Sequence, residues 1–498
     1  MTPNEGKVPE ALPSTDVTPD GDEGSQLSTS VAEASSLNTM TVIDVDDMPD
    51  VDDMPASTTV SQEEPDIPAV QAAQDALVAD SVSTTDTAVT YTNLGWTFRV
   101  VFALASTVGG LSSIAIKQLL LPLQVSMLAP TTTNTSFAIV ASIGAFAGLI
   151  VSPFTGALSD RSVAKWGPRR VWIVFGLLAG VLGLIIMAFA ASIPVLLLGE
   201  IIAQIGVDTV LSTVAAIIPD QVPSSKRALF SALNGMAPIV GGVLGLLAVS
   251  RLTNTHVPAQ GYLALIILSV LFIALFLLVF RDRPGVRRED APAFQMGPFL
   301  AGFVRPLASG DFVYTLISRC LVFLSFQILG AYTLFYLRGV LHFTAPQAAT
   351  GVANFQLIST ACLLIGSLIV GSISGKAAGR IKPFVILGAL LMAISLVVIA
   401  LVHIWTVMLF IAVVFGFGFG IYLAVDMALA IRVLPTTTNN GKDLAIINTA
   451  IFLPLIISPI IGAFILNLSH NNFSLLFLIA AFSSVVAAGL ILPIRSVR

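Results

Sequence analysis

Charge is what this sequence lacks most. Asp, Glu, Lys and Arg make up 11% of its 498 residues, where a soluble globular protein carries about 25%. That shortage excludes an ordinary water-soluble domain, and a 55% hydrophobic composition with a mean hydropathy of +0.91 points to a membrane protein. Cysteine is nearly absent. Cys320 and Cys362 both fall in apolar runs and read as small packing residues, not as a disulfide or a metal site. The chain also lacks a Walker loop, metal-ligand spacing and a nucleophile triad, so no enzyme, no metal and no cofactor is expected, nor a nucleic-acid partner.

Bases are missing from one segment. Residues 1–93 hold nineteen of the twenty-nine acids and a single base, Lys7, which leaves ten acids against twenty-three bases in residues 94–498. The segment is rich in Ser, Thr, Pro and Asp and repeats VDDMP at 45–49 and 51–55. It has too little apolar surface to offset its ordering entropy, so it reads as a disordered acidic tail. It has no secretory-signal core, and its Asp clusters lack the glycine turn and bidentate acid of a calcium loop.

What the remainder has is long apolar runs. Crossing about 30 Å of hydrocarbon takes about 20 apolar residues, and twelve such runs are predicted near 96–123, 135–157, 171–192, 194–218, 228–250, 261–280, 312–337, 348–373, 383–402, 405–432, 444–467 and 474–493. Bases collect in the loops after even-numbered runs, among them Arg161, Lys165, Arg169, Arg170, Lys226, Arg227, Arg281, Lys376, Arg380 and Lys442. By the positive-inside rule both termini are cytoplasmic. The longest linker, 281–311, divides the body into 94–280 and 312–498, six spans each. A shift of 216 residues lays Pro219 on Pro435, Lys226 on Lys442 and Pro238 on Pro454, and a shift of 215 lays GALSD at 156–160 on GSISG at 371–375. These are the marks of two parallel six-helix repeats.

GALSDRSVAKWGPRR at 156–170 resembles the loop between the second and third helices of major facilitator superfamily transporters: Gly156, Asp160 and Arg161, then Gly167 before Arg169 and Arg170. The longer spacing is similar to that of glycoside–pentoside–hexuronide cation symporters and sucrose transporters, as is Asp208 followed by Asp220 and Arg227. The resemblance implies an all-α fold of twelve transmembrane helices in two halves, with the substrate site between them. It also implies a cation-coupled symporter of a sugar, glycoside or similar small polar solute, working by alternating access in the cell membrane. The coupling ion is then a proton or sodium, the chain a monomer in lipid, and the tail free to recruit a cytosolic partner. An efflux antiporter for amphipathic compounds and a non-transporting receptor or assembly factor remain alternatives. Asp160 is placed to meet the start of span 11 near Asp443, where helix N–H groups favour an anion. Arg161, Asp220 and Arg227 complete a cytoplasmic gate in the same picture.

Ionisable residues within spans are rare and usually face a cavity or a partner. At about 1.5 Å per residue, Lys117 and Glu200 lie at similar depth, roughly 30 and 28 Å from the cytoplasmic ends of their spans. Arg319 and Asp426 match likewise, at roughly 10 to 13 Å. Each match predicts an ion pair, the second one bound up with substrate. Asp208, roughly 16 Å deep, has no base at its own level. With Gln204 one turn before it, Asp208 is the candidate group for a mobile cation. The plainer alternative is that it bonds Ser, Thr or backbone groups and joins two helices. Gln118 and Tyr332 are further candidates for a solute site, which needs amides and an aromatic face.

Overall fold

Lipid offers backbone amides no partner, so a chain of apolar runs must satisfy them within each run, and helices do so. The computed structural model describes residues 95–160, 162, 164, 166–252, 258–282, 310–374, 381–432 and 440–494. The acidic tail and most of the linker expected at 281–311 lie outside them. All described helices belong to one compact unit, Val89–Arg498. The first six are α1 (Trp96–Leu128), α2 (Thr133–Asp160), α3 (Pro168–Ala188), α4 (Ile193–Gln221), α5 (Ser224–Leu252) and α6 (Ala259–Val279). The second six are α7 (Gly310–Gly339), α8 (Ala345–Ser374), α9 (Lys382–Leu401), α10 (Trp405–Arg432), α11 (Asn440–Leu468) and α12 (Phe473–Ile491). Among the described residues, these twelve helices are long and apolar enough to cross a membrane.

The packing repeats with the helices. In the first six, α1 packs on α5, α2 and α3 pack on α4, and α3 packs on α6. Six helices later α7 packs on α11, α8 and α9 on α10, and α9 on α12. The two sets meet through α2 against α11 and α5 against α8. Exchanging the sets turns each of these two contacts into the other, which is the behaviour of a two-fold pseudo-axis between tandem repeats.

Two local devices shape the helices around that axis. α1 is α-helical over Trp96–Ala115, forms a π turn over Ile116–Leu120, and resumes as Leu121–Leu128. Pro122 has no N–H to return to the carbonyl of Gln118, and the wider turn, in which the N–H of Leu121 reaches back to Ile116, absorbs the defect. The second device is glycine at seams between helices, where lipid cannot drive association and close backbone approach must. A Cβ added to Gly183 of α3 would lie 2.7 Å from the Gly199 carbonyl of α4, and one added to Gly388 of α9 would lie 2.7 Å from the Gly418 carbonyl of α10. The same seam thus serves both halves.

Overpacking these seams is expected to cost about 1–3 kcal/mol. Gly418→Val should lower the Tm of the detergent-purified protein by several degrees, whereas Gly235→Ala, where an added Cβ meets nothing within 4 Å, should leave Tm unchanged or raised. Equal effects at both positions would contradict the close-approach account.

Candidate functional site

Between the two sets of helices lies a cavity of 330 Å³, within the size range of small-molecule sites. α1 lines it with Lys117 and Gln118, α4 with Gln204 and Asp208, α7 with Gln327 and α11 with Ser458. Its apolar wall includes Phe137 of α2, Leu211 of α4 and Phe452 of α11. Gln118 spans the axis: a Cβ on Gly330 of α7 would lie 2.7 Å from its Nε2.

Glu200, Gln204 and Asp208 are spaced four apart and form one stripe of α4. Opposite them, also four apart, stand Gly144 and Gly148 of α2. A Cβ on Gly144 would come 2.6 Å from Glu200 Cγ, and one on Gly148 would run into Asp208 Oδ2 and lie 3.0 Å from Gln204 Cγ. The glycines are the space in which the polar stripe sits. Gln204 Nε2 donates to Asp208 Oδ2 at 2.8 Å, and Asp208 is 6% exposed. Farther along the same seam Thr155 and Ser212 share a hydrogen bond of 2.8 Å.

The direct Lys117–Glu200 pair expected from depth does not form. Lys117 Nζ and Glu200 Oε2 each lack a hydrogen-bond partner. Lys117 instead faces the cavity beside Asp208 and is within electrostatic reach of both carboxylates. Counting residues along a helix gives height but not direction around the axis. Asp208 thus accepts from Gln204 and lines the same cavity as Lys117 without a hydrogen bond to it.

Arg319 and Asp426 do pair, at 3.1 Å, with side chains 3% and 4% exposed. The guanidinium also lies 5.8 Å from the Phe323 ring centroid. Neither residue lines the cavity, and Arg319 Nε, Arg319 Nη1 and Asp426 Oδ1 have no hydrogen-bond partner. The pair joins α7 to α10 inside one half. Tyr332 is also away from the cavity wall: it is fully buried and its hydroxyl donates to the Pro459 carbonyl at 2.7 Å.

On the face that carries the basic loops, the polar cluster differs from expectation. Asp220 pairs with Arg169, whose Nη2 and Nε lie 2.6 and 2.9 Å from Oδ2 and whose Nη1 donates to Ser159. Arg227 instead donates to the backbone carbonyls of Val222 and Pro219 at 3.1 and 3.0 Å. It closes the frayed end of α4, where carbonyls lack helical partners. Asp282, missed in the sequence, accepts from the N–H groups of Arg169 and Arg170 at 2.6 and 3.0 Å and from Gln221 at 3.0 Å. It caps α3, whose entry needs Gly167 at φ 97°, and an added Cβ there would run into Asp282. Gly156 meets no such neighbour, since an added Cβ finds nothing within 4 Å. Arg161 and the side chains of Asp160 and Asp443 lie outside what the structure describes.

On the opposite face the two sets of helices touch. Asn134 Nδ2 reaches Asn467 and Asn471 at 3.1 and 2.8 Å, Asn467 donates to Thr135 at 2.9 Å, and Arg338 donates to Ser126 at 2.8 Å. For the buried pair, losing one partner should strand a charge. Arg319→Met is expected to destabilise by about 3–5 kcal/mol, read as a fall in Tm. Adding Asp426→Leu should recover most of it, and a double variant no more stable than the single would contradict a charge-stranding origin.

The sequence profile of the Major Facilitator Superfamily matches residues 100–376 and 350–497. The uncharacterized MFS-type transporter YfiU of Bacillus subtilis (strain 168) is 29% identical over 172 residues, 32% of each chain. Sucrose transport protein SUT1 of Oryza sativa subsp. japonica is 37% identical over 76 residues, 14% of each chain. The chain thus aligns with a third or less of these relatives' lengths. Among solved structures, the nucleoside transporter NupG superposes with a TM-score of 0.64 at 14% identity, covering 80% of this chain and 100% of the other. A bacterial homolog of the human lysosomal transporter Spinster, inward-facing and unoccupied, gives 0.62 at 14% identity, covering 80% and 98%. These likenesses carry the fold, and the profile spans nearly the whole helical body. The chain belongs to the Major Facilitator Superfamily.

Proposed function

We propose that this protein is a secondary active symporter that moves a sugar, glycoside or similar small polar solute through the central cavity together with a proton or sodium ion. The observation that carries the reading is Asp208: a carboxylate on the cavity wall between the two halves, held by one amide from Gln204. A carboxylate so placed is costly unless a cation accompanies it. The amides of Gln118, Gln204 and Gln327 suit hydroxyl groups, and Phe137 and Phe452 offer faces to a ring. The similarity of a short segment to sucrose transport protein SUT1 supports the same class.

Contact between the halves on the face away from the basic loops supports alternating access with that side closed. The distribution of Lys and Arg supports a cell-membrane orientation with both termini cytoplasmic. A second reading, efflux of an amphipathic compound, draws on the cavity's apolar residues Ile114, Leu211, Ile451 and Leu455.

Proteoliposomes with imposed proton or sodium gradients separate the two. Gradient-driven accumulation of a sugar should occur with the wild type and with a deletion of residues 1–90, and should fall to the level of empty vesicles with Asp208→Asn. Asp208→Asn accumulating solute with unchanged ion dependence would refute the coupling role. Expulsion of a hydrophobic dye by an inward proton gradient, without sugar uptake, would establish the second reading.

A further inference from the structure

The cavity and its surroundings contain more charge than Asp208 alone. Glu200 is 1% exposed and its Oε2 has no hydrogen-bond partner. Lys117 Nζ is likewise without one, although the side chain lines the cavity with Asp208. These are not three isolated residues. Glu200 and Asp208 stand two turns apart, roughly 12 Å along one stripe of α4. Gly144 and Gly148 leave room for both. Lys117 sits in the π turn of α1 within electrostatic reach of each. π turns often mark functional positions because they break the regular direction of side chains.

The charge count decides what this cluster needs. One ammonium and two carboxylates leave it one positive charge short of neutrality, and an uncompensated charge in such an interior costs several kcal/mol. Among the described residues, the neighbouring elements do not supply the missing charge. α2 presents Gly144 and Gly148, α5 Pro238, α7 Gln327 and α11 the uncharged Phe452 and Ser458. On α6, Tyr262 is near Glu200 but donates its hydroxyl to Gln124 at 2.6 Å. Arg99, the other base of α1, lies roughly 27 Å down the helix, and Arg319 is engaged by Asp426.

We infer that Lys117 is a tethered counter-ion shared by Glu200 and Asp208, and that the pair of carboxylates consequently takes one monovalent cation, not two, from the cavity. This rests on the coupling role of Asp208 and adds the residues that set the number of ions. In the cation-bound state Lys117 serves Glu200 and the mobile ion serves Asp208, the carboxylate on the cavity wall. When the ion leaves, Lys117 is the positive charge that remains between them.

Equilibrium binding to the purified full-length protein tests this, with sodium-22 as one probe and proton uptake after an acid pulse as the other, each counted as the excess over the Asp208→Asn, Glu200→Gln double variant, which removes the contribution of the nineteen acids of residues 1–93 and of the surface groups. The wild type should bind one cation per chain. Glu200→Gln should bind none, although Asp208 is intact, because Lys117 then neutralises Asp208 fully. Lys117→Gln with Glu200→Gln should restore one, and Lys117→Gln alone should bind two. Glu200→Gln is nearly isosteric, and the restoring double variant shows that a loss in the single is not a folding defect. If Glu200→Gln binds one cation while Asp208→Asn binds none, Lys117 is not shared: the inference falls and the coupling role of Asp208 stands. If Asp208→Asn binds one cation as the wild type does, the coupling role itself falls.

Discussion

A charge inside a helical bundle in lipid must be compensated locally, because water is not there to do it and the penalty for leaving it bare is several kcal/mol. The described charges of this protein follow from that constraint. Arg319 and Asp426 satisfy it with each other, 3.1 Å apart across α7 and α10. Arg169 and Asp220 satisfy it at the edge of the bundle, where Ser159 accepts from the guanidinium and Asp282 from the backbone N–H of Arg169. At the centre it is met incompletely. In the proposed reading Glu200 and Asp208 share Lys117, and the shortfall lies beside a cavity between the halves that Lys117 and Asp208 both line.

The backbone is arranged to make that shortfall possible. Gly144 and Gly148 withdraw a wall that any larger residue would push into the carboxylates. Pro122 directly follows the π turn that includes Lys117, at a position with no N–H to return to the preceding turn. The glycine seams between α3 and α4 and between α9 and α10 bring the helices of each half into close backbone contact. The halves meet through α2 with α11 and α5 with α8, and on the face away from the basic loops their contacts are exposed amides and hydroxyls.

Much of this was legible in the sequence because hydropathy and charge are local properties. The twelve runs and the tandem repeat needed only composition and spacing, and the Arg319–Asp426 pair needed only depth. Depth failed for Lys117 because height on a helix leaves direction undetermined. It was the cavity, not the Glu200 level, toward which the side chain turned. The cluster on the basic face was misassigned for a related reason. Asp220 has Arg227 seven residues on, yet pairs with Arg169, 51 residues before it, and Asp282 reaches the start of α3 from beyond α6. The GAFAG stretch at 144–148 did carry a readable signal, since small residues four apart mark a close helix face. What approaches that face, here a polar stripe, is a tertiary fact.

Cation-dependent stability of the purified protein tests the central claim most directly, because a ligand that binds only the folded state raises Tm with its concentration. Sodium is titrated against choline at constant ionic strength, and protons are titrated separately, for the wild type and for Asp208→Asn. The account predicts that one of the two cations raises the Tm of the wild type by an increment that is absent from Asp208→Asn. An increment of the same size in both proteins would place the cation elsewhere and contradict it.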